Sequence, residues 1–402
     1  METKDMHRHN PFIAFIVVAL IVTVSLDGQS IQFGGPDLEF IEYEYNPVLD
    51  GKSSWAYLAV SGPDVMFDNG IYKMWFNGVS DMGQEIGYAT STDGLNWEIY
   101  PEPVLSHLDS ASANETLVKW PEVIKVGNQY WMYYTACDTL GIFQLYLATS
   151  DDGISWARYS PETILGIGPS GSFDAEYVGY ARIIQWNGQY AMWYSGAESI
   201  AEARFQVGFA TSPDGLTWTK YSSNPVMDYF IDDGEEYYHI CAGSPIVHAD
   251  NSLEMFYTGR ISNPPSQINH AWSTDGINWT PSPANPLITH GGPGSWNEGN
   301  TSQPAVLLHD GRYKIWYGGY SSAGWRTWAI GYGAATPVGS RTLYATDTRW
   351  VAGDTINVEI KLSQTAGVAG IDFTVTYDSL LLHFAGIDKA SATNDFLLVE
   401  NS

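Results

Sequence analysis

The chain has 402 residues and a formal net charge of −27, with 18 basic side chains against 45 acidic ones. Such a surface repels nucleic-acid phosphates and anionic lipids, so we expect no nucleic-acid or membrane-surface partner; neutral ligands, cations and other proteins remain. The length allows one large all-β domain with a smaller companion, or two to three ordinary domains. With only two cysteines, Cys137 and Cys241, the sequence predicts free thiols and no disulfide framework.

The first thirty residues have the pattern of a signal peptide. Lys4 and Arg8 precede an apolar run from 12 to 24, and Gly28 and Ser30 flank a small-x-small cleavage site. An uncleaved membrane anchor is the alternative, but the run is short for a bilayer span. We therefore expect residues 1–30 to be removed and the protein to be extracellular or at the cell surface.

A seven-residue motif recurs along the next part of the chain. Its copies are Ser91–Trp97, Ser150–Trp156, Ser212–Trp218 and Ser273–Trp279. The spacing of about sixty residues is in the range of propeller blades. The Asp-Gly pair inside each copy supplies the positive φ of a tight turn, and the tryptophan can pack between adjacent sheets, so the motif predicts a structural turn.

An aromatic strand precedes each motif, and a fifth copy of that strand has no motif after it. The five copies are Tyr72–Phe76, Tyr130–Tyr134, Tyr190–Tyr194, Leu253–Tyr257 and Tyr313–Tyr317. Residues 38–49 match 216–227, which supply the outer strand of a complete repeat. The sequence thus predicts an all-β fold over residues 31–338, a five-bladed β-propeller closed by an N-terminal strand, since closure removes open sheet edges.

Residues 339–402 have a different pattern of alternating strands and turns. Val351–Leu362, Gly367–Asp378 and Leu380–Phe384 resemble the start of a cohesin domain, a β-sandwich. The similarity covers about half of what such a sandwich needs, so we expect an incomplete module. The resemblance implies a dockerin-bearing protein as a possible partner.

The innermost strands carry the best candidates for chemistry. Asp64 and Glu122 occupy equivalent places in blades one and two, and Arg182 takes the next place in blade three. Two carboxylates beside a guanidinium can be poised for acid and base catalysis. A structural network of ion pairs would produce the same pattern, and the sequence leaves both interpretations open.

The five repeats resemble a glycoside hydrolase superfamily that includes arabinanases, β-xylosidases, invertase-like enzymes and mannoside phosphorylases. Trp120–Ile124 and the following Tyr130–Tyr134 are closest to the arabinanase and xylosidase group. The resemblance implies acidic residues immediately before the proline of certain innermost strands. This chain instead has Gly62, Tyr180, Gly243 and Gln303 there, so any catalytic carboxylates lie elsewhere.

We therefore expect the site at the mouth where the loops entering the innermost strands gather. The candidate catalytic carboxylates are Asp64, Glu122, Glu176 and Glu298. The candidate sugar-binding residues are Trp55, Trp120, Tyr180, Arg182, Arg260 and Gln303.

Three functions remain open at this stage. The first is a secreted glycoside hydrolase that acts on a polysaccharide or oligosaccharide and needs no cofactor. The second is a non-catalytic carbohydrate-binding propeller on a cohesin-bearing scaffold, and the third is an adhesive repeat protein without a ligand. Calcium binding is possible because carboxylates are abundant, but no loop has calcium-ligand spacing, and we predict no metal site.

Overall fold

The computed structural model describes residues 32–344, except 52–54, 110–114, 203, 229, 233–234, 262–264, 310 and 322–327, and it also describes the residue pairs 19–20 and 360–361. Phe33–Leu343 forms one compact unit, and the two termini form the other. The predicted signal peptide and the cohesin-like segment lie outside the described residues, apart from 19–20, 339–344 and 360–361.

The regular secondary structure of the described residues is β-strand, apart from one 3₁₀ turn at His107–Asp109. In chain order the strands are β1 (Ala19–Leu20), β2 (Gln32–Glu42), β3 (Ala59–Asp68), β4 (Ile71–Ser80), β5 (Gly83–Ser91), β6 (Glu98–Ile99), β7 (Leu117–Val126), β8 (Gln129–Cys137), β9 (Phe143–Ser150), β10 (Ala157–Arg158), β11 (Tyr177–Trp186), β12 (Gln189–Ala197), β13 (Gln206–Ser212), β14 (Thr219–Lys220), β15 (Phe230–Asp232), β16 (Glu235–Val247), β17 (Leu253–Ile261), β18 (Gln267–Ser273), β19 (Thr280–Pro281), β20 (Asn300–His309), β21 (Arg312–Tyr320), β22 (Trp328–Tyr344) and β23 (Ile360–Lys361). The strands β1 and β23 pair with each other in the terminal unit.

The larger unit is built from five antiparallel blades, as the repeats predict. Blade 1 is β3–β6, blade 2 is β7–β10, blade 3 is β11–β14, blade 4 is β15–β19, and blade 5 is β20–β22 with β2 as its outer strand. The innermost strands β3, β7, β11, β16 and β20 contact one another in that order, and β20 also contacts β3. The described structure therefore has the predicted all-β propeller architecture.

The repeated motif links neighbouring blades by a hydrogen bond to its glycine carbonyl, and we call each such link a latch. In its first copy, Ser91 Oγ accepts the N–H of Gly94, and the indole N–H of Trp97 donates to the Gly94 carbonyl. The same carbonyl accepts a second bond, 2.8 Å long, from the indole of Trp316 in blade 5. The remaining latches join Trp75 to Gly153, Tyr133 to Gly215, and Trp193 to Gly276. The structural interpretation of the motif is confirmed.

Blade 4 has a phenylalanine where the other blades have the latch donor. Phe256 lies opposite His270 in the same register that places Trp193 opposite Phe209. Blade 5 carries no motif, so it has no motif glycine carbonyl that could accept a hydrogen bond from blade 4. The missing donor and the missing motif thus occur together.

Residues 43–49 continue from β2 along β22. The side chain of Asn46 bonds both the N–H and the carbonyl of Tyr332, each at 2.8 Å, and Leu49 bridges Ile330. Asn224 and Asn285 bond Phe209 and His270 in the same way. The N-terminal segment therefore occupies the position that the outer strand takes in blades 3 and 4.

Candidate active site

Four of the five innermost strands have a residue with positive φ at a β-bulge in the same place. These residues are Gly62 (φ 56°), Trp120 (53°), Tyr180 (47°) and Gln303 (58°). The N–H of the bulge residue is bonded by a polar side chain on the second strand of the preceding blade. The pairs are Trp120 with Asn77, Tyr180 with Thr135, Ala242 of blade 4 with Ser195, and Gln303 with Thr258.

The fifth bulge residue, Gly62, is bonded by the side chain of Gln303 and not by a residue of the second strand. The residue expected to bond Gly62 would stand at Gly318, which has no side chain. Gln303 Oε1 fills that space, 3.1 Å from where a Cβ of Gly318 would lie, and accepts the Gly62 N–H at 2.9 Å. Gln303, a candidate sugar ligand, is thus also an inter-blade connector.

Asp64, Glu122 and Arg182 follow the bulges and meet between the innermost strands, as the sequence predicts. Arg182 Nη1 donates to Asp64 Oδ1 at 3.2 Å and to Glu122 Oε2 at 2.7 Å. Its Nη2 bonds the carbonyls of Pro63 and Pro304 and lies 3.3 Å from the Tyr180 hydroxyl. Arg182 is only 2% exposed, and it bonds residues of three other blades: blades 1, 2 and 5.

Each carboxylate of this network also bonds the backbone of the next blade. Asp64 Oδ2 accepts the N–H of Val123, and Glu122 Oε1 accepts that of Ile183, both at 2.8 Å. In blade 4 the residue equivalent to Val123 and Ile183 is Pro245, which has no N–H to donate. Arg182, which has no acceptor, can therefore stand there without leaving a backbone donor unpaired.

Burial and mutual repulsion shift the titration of the two carboxyl groups. Desolvation, and then the charge of Glu122, raise the pKa of Asp64 to about 8, although Arg182 opposes the shift. Desolvation also raises the pKa of Glu122. Two carboxylates and one guanidinium in a dry space leave one excess negative charge, and a proton on Asp64 removes it near neutral pH.

A cavity of about 290 Å³ reaches this network from the end where the innermost strands finish, which we call the distal mouth. Asp64 and Glu122 line it together with Ser244, and its walls are mostly aliphatic. The sequence analysis expected the site at the opposite end, where these strands begin, the proximal mouth. The two carboxylates are therefore open to the distal mouth.

Glu176 and Glu298 lie in loops at the proximal mouth and stabilise turns. Glu176 accepts the N–H of Ile200, and Glu298 accepts that of Gly294 at 2.6 Å. Asp64 and Glu122 instead meet at Arg182 between the innermost strands. The four candidate carboxylates thus fall into one buried pair and two separate loop residues.

The candidate sugar-binding residues also divide between packing and exposure. The Trp55 ring covers Gly78 and Gly87, where an added Cβ would lie 2.1 and 2.6 Å from ring atoms. Trp120 and Tyr180 pack edge to face with centroids 5.8 Å apart, just proximal to Arg182. Arg260 is exposed at the end of β17.

One buried side chain at the proximal mouth was not singled out by the sequence. Lys119 of β7 is 9% exposed, and burial lowers its pKa to about 7. A single lysine before a tryptophan carries no sequence signal, because its burial depends on rings from other strands. Both cysteines are free thiols, as predicted.

The described residues contain no cluster of three or more His, Cys, Asp or Glu side chains arranged to hold a metal ion. Within the same part of the chain, no helix is long and apolar enough to cross a bilayer.

The chain has similarity to two protein families. Residues 59–228 match the profile of β-1,4-mannooligosaccharide phosphorylases, and residues 344–398 match that of cohesin domains. The arabinanase and xylosidase subgroup favoured by Trp120–Ile124 is therefore not the one that the profile identifies. That motif follows the strand geometry common to these propellers, so it does not separate the subgroups.

Curated relatives are similar over part of their length. An uncharacterised protein of Mycobacterium tuberculosis is 28% identical over 145 residues, which cover 34% of this chain and 46% of the relative. A 1,2-β-oligomannan phosphorylase of Thermoanaerobacter is 28% identical over 125 residues, covering 28% of this chain and 41% of that enzyme. The chain thus spans about half the length of the curated relatives it matches.

Solved structures share the fold at low sequence identity. A glycoside hydrolase superposes with a TM-score of 0.60 at 18% identity, covering 77% of this chain and 96% of that one. A structure described as a mannoside phosphorylase-family hydrolase acting on β-1,2-mannosidic linkages in Candida mannan gives 0.58 at 17%, with the same coverage. The fold is that of the propeller-like glycoside hydrolases. Within that class, the similarity over residues 59–228 is to mannooligosaccharide phosphorylases.

Proposed function

We propose that the propeller is a glycan-processing enzyme that cleaves mannose-containing oligosaccharides, with Asp64 as proton donor. The observation that carries the proposal is the buried pair of Asp64 and Glu122, which shares Arg182 at the floor of a cavity. The raised pKa of Asp64 keeps a proton available near neutral pH. The profile match over residues 59–228 spans all three side chains.

The chemistry follows from the different environments of the two carboxyl groups. Asp64 would protonate the glycosidic oxygen as the bond breaks, while Glu122, ionised beside Arg182, would stabilise positive charge on the sugar or activate the acceptor. The acceptor is water in a hydrolase and inorganic phosphate in a phosphorylase. A cavity of about 290 Å³ is at the small end of ligand sites, which favours one terminal sugar over the middle of a long chain.

The termini extend the proposal to location and partners. Residues 1–30 have the signal-peptide pattern, and residues 344–398 match cohesin domains. An exported enzyme with a cohesin module would act outside the cell and bind a dockerin-bearing protein.

The assay that tests the activity uses β-1,2- and β-1,4-linked mannobiose with and without inorganic phosphate. We expect Asp64→Asn and Glu122→Gln to lower turnover at least a hundredfold, because general acid–base groups contribute factors of about 10² to 10⁴. Release of mannose alone would indicate hydrolysis, and phosphate-dependent sugar phosphate would indicate phosphorolysis. Glu176→Gln and Glu298→Gln are the matched controls; loss of turnover in those two variants instead would move the site to the proximal mouth.

A non-catalytic glycan-binding propeller is the second candidate. It is favoured by the bonds from Asp64 and Glu122 to backbone N–H groups of the next blade, because such bonds fix a carboxylate for structural reasons. Saturable mannooligosaccharide binding with no product after long incubation, by wild type and Asp64→Asn alike, would select this function.

A further inference from the structure

Lys119 is the exception among the lysines of the propeller. The four other lysines that the structure describes there each donate to an oxygen: Lys73 and Lys125 to Asp68, Lys220 to Asp174, and Lys314 to the Tyr72 hydroxyl. Within the described residues, Lys119 has no hydrogen bond or ion pair. Although the chain has 45 acidic side chains, none that the structure describes pairs with the buried amine of Lys119.

Aromatic rings surround this amine instead. Lys119 Nζ lies 3.7 Å from the centroid of the Trp120 ring and 4.4 Å from that of Phe143. The Phe143 ring packs against that of Tyr177, with centroids 5.4 Å apart, and the Tyr177 ring packs against that of Phe205, with centroids 4.9 Å apart. These three rings form a row. The row runs across blades 2 and 3 at the proximal mouth, and the lysine lies at its end.

A second unused donor lies beside Lys119. The indole N–H of Trp120 is buried and, among the described residues, has no hydrogen-bond partner. The indoles of Trp131 and Trp272 are also buried without a partner among the described residues, whereas those of Trp75, Trp193 and Trp316 donate to carbonyls. A buried N–H without a partner and a buried amine held only by ring faces both cost free energy, and perturbed titratable groups cluster at functional sites.

We propose that the Lys119 amine and the Trp120 indole N–H bind the carboxylate group of an acidic sugar at the proximal mouth. Both groups are donors, so the ligand must present acceptors only, as a carboxylate does. The adjoining ring of Phe143, which is half-buried, suits the apolar face of a sugar ring. The site lies on the other side of the bulges from the distal cavity and does not depend on whether Asp64 cleaves a glycan.

Binding should be stronger at low pH because the amine must be charged. The pKa of Lys119 near 7 means that the ammonium form dominates at pH 6 and is scarce at pH 8, while a uronate stays ionised at both. Cys137 on β8 is the titratable group whose charge acts on Lys119, and burial raises its pKa, so it remains a neutral thiol in this range. Tyr177 on β11 also stays neutral, since burial raises its pKa.

Calorimetric titration of the full chain with galacturonate and glucuronate, against galactose and glucose, tests the site. We expect binding of the uronates only, about tenfold tighter at pH 6 than at pH 8. Lys119→Met keeps the length of the side chain and should weaken uronate binding at least tenfold, whereas Lys314→Met should leave it unchanged. Equal uronate affinity in wild type and Lys119→Met, or no uronate binding at all, would overturn the proposal.

Two further measurements keep the test independent of folding and of other anions. Acetylation of wild-type Lys119 at pH 7, followed by mass spectrometry, should be slowed by saturating uronate; an unchanged rate contradicts the site. Inorganic phosphate is the competing oxyanion. If phosphate binds in a Lys119-dependent manner and uronates do not, the carboxylate assignment is wrong.

Discussion

Gln303 and Gly318 behave as one unit at the seam between blades 5 and 1. We expect Gln303→Ala to lower the free energy of unfolding by about 1 kcal/mol, because the Gly62 N–H loses its partner. Adding Gly318→Thr to that variant should restore most of the loss, since threonine serves this purpose at Thr135 and Thr258. Chemical denaturation of the single and double variants measures both effects.

The same Gly318→Thr change alone provides the control. With Gln303 present, the added Cβ would lie 3.1 Å from Oε1, so the single variant should be destabilised. If Gly318→Thr were neutral alone and gave no rescue in the double variant, Gln303 would not be the connector.

The raised pKa of Asp64 makes the free energy of unfolding depend on pH. The unfolded carboxyl titrates near 4 and the folded one near 8, so the folded state holds an extra proton between these values. The stabilisation that comes from this extra proton is complete below about pH 4 and is lost as the pH rises to about 8. We expect Asp64→Asn to flatten the decline in stability from pH 5 to pH 8, because asparagine needs no proton.

Urea denaturation at several pH values measures this dependence. Asp64→Ala is the matched comparison, because it also removes the acceptor for the Val123 N–H and should destabilise at every pH. An unaltered pH slope in Asp64→Asn would show that Asp64 is ionised in the native state.

The sequence could predict the meeting of Asp64, Glu122 and Arg182 because repeat alignment places them at equivalent positions of neighbouring blades. It could not predict the role of Gln303, which depends on an absent side chain at Gly318. The environment of Lys119 depends on rings drawn from separate strands, so it could not be predicted either.

At the scale of the element, aromatic side chains from the entering loops cover paired glycines of the second and third strands. Trp55 covers Gly78 and Gly87, and Trp296 covers Gly319 and Gly331. We expect Trp55→Ala to cost about 2–3 kcal/mol in unfolding free energy, somewhat below the value for a fully buried tryptophan. Trp55→Phe should retain most of the stability, since Phe173 fills the same place over Gly196 and Gly208.

Denaturation and sugar binding should be measured on both Trp55 variants. If Trp55→Ala loses glycan affinity while its stability is unchanged, the ring is a sugar platform, as the sequence analysis first expected. The glycine pairs were visible in the sequence, but their partner ring was not, because it comes from a loop some twenty residues earlier in the chain.

At the scale of the whole molecule, the N-terminal segment supplies the outer strand of the last blade. Asn46, Asn224 and Asn285 make the same pair of backbone bonds in blades 5, 3 and 4. We therefore expect alanine at each of the three positions to lower the melting temperature by a similar amount. A much smaller effect at Asn46 would mean that the N-terminal segment does not hold β22 in solution.

Most of this architecture was accessible from the sequence because blades are local repeats, each marked by an aromatic strand and four of them also by the turn motif. The end of the channel that carries the cavity was not accessible, since it depends on how side chains such as Trp120 and Tyr180 fill the space between strands. The enzymatic subgroup was also missed, because the Trp120–Ile124 motif reflects strand geometry that several glycan-active families share.

Asp64 and Glu122 form the proposed reacting centre for a mannose-containing glycan. A crystal structure of the Asp64→Asn variant with bound mannobiose tests this proposal most directly. We predict the glycosidic oxygen within hydrogen-bonding distance of the residue at position 64, with the terminal sugar in the distal cavity. A sugar bound only at the proximal mouth, beside Glu176 and Glu298, would contradict it.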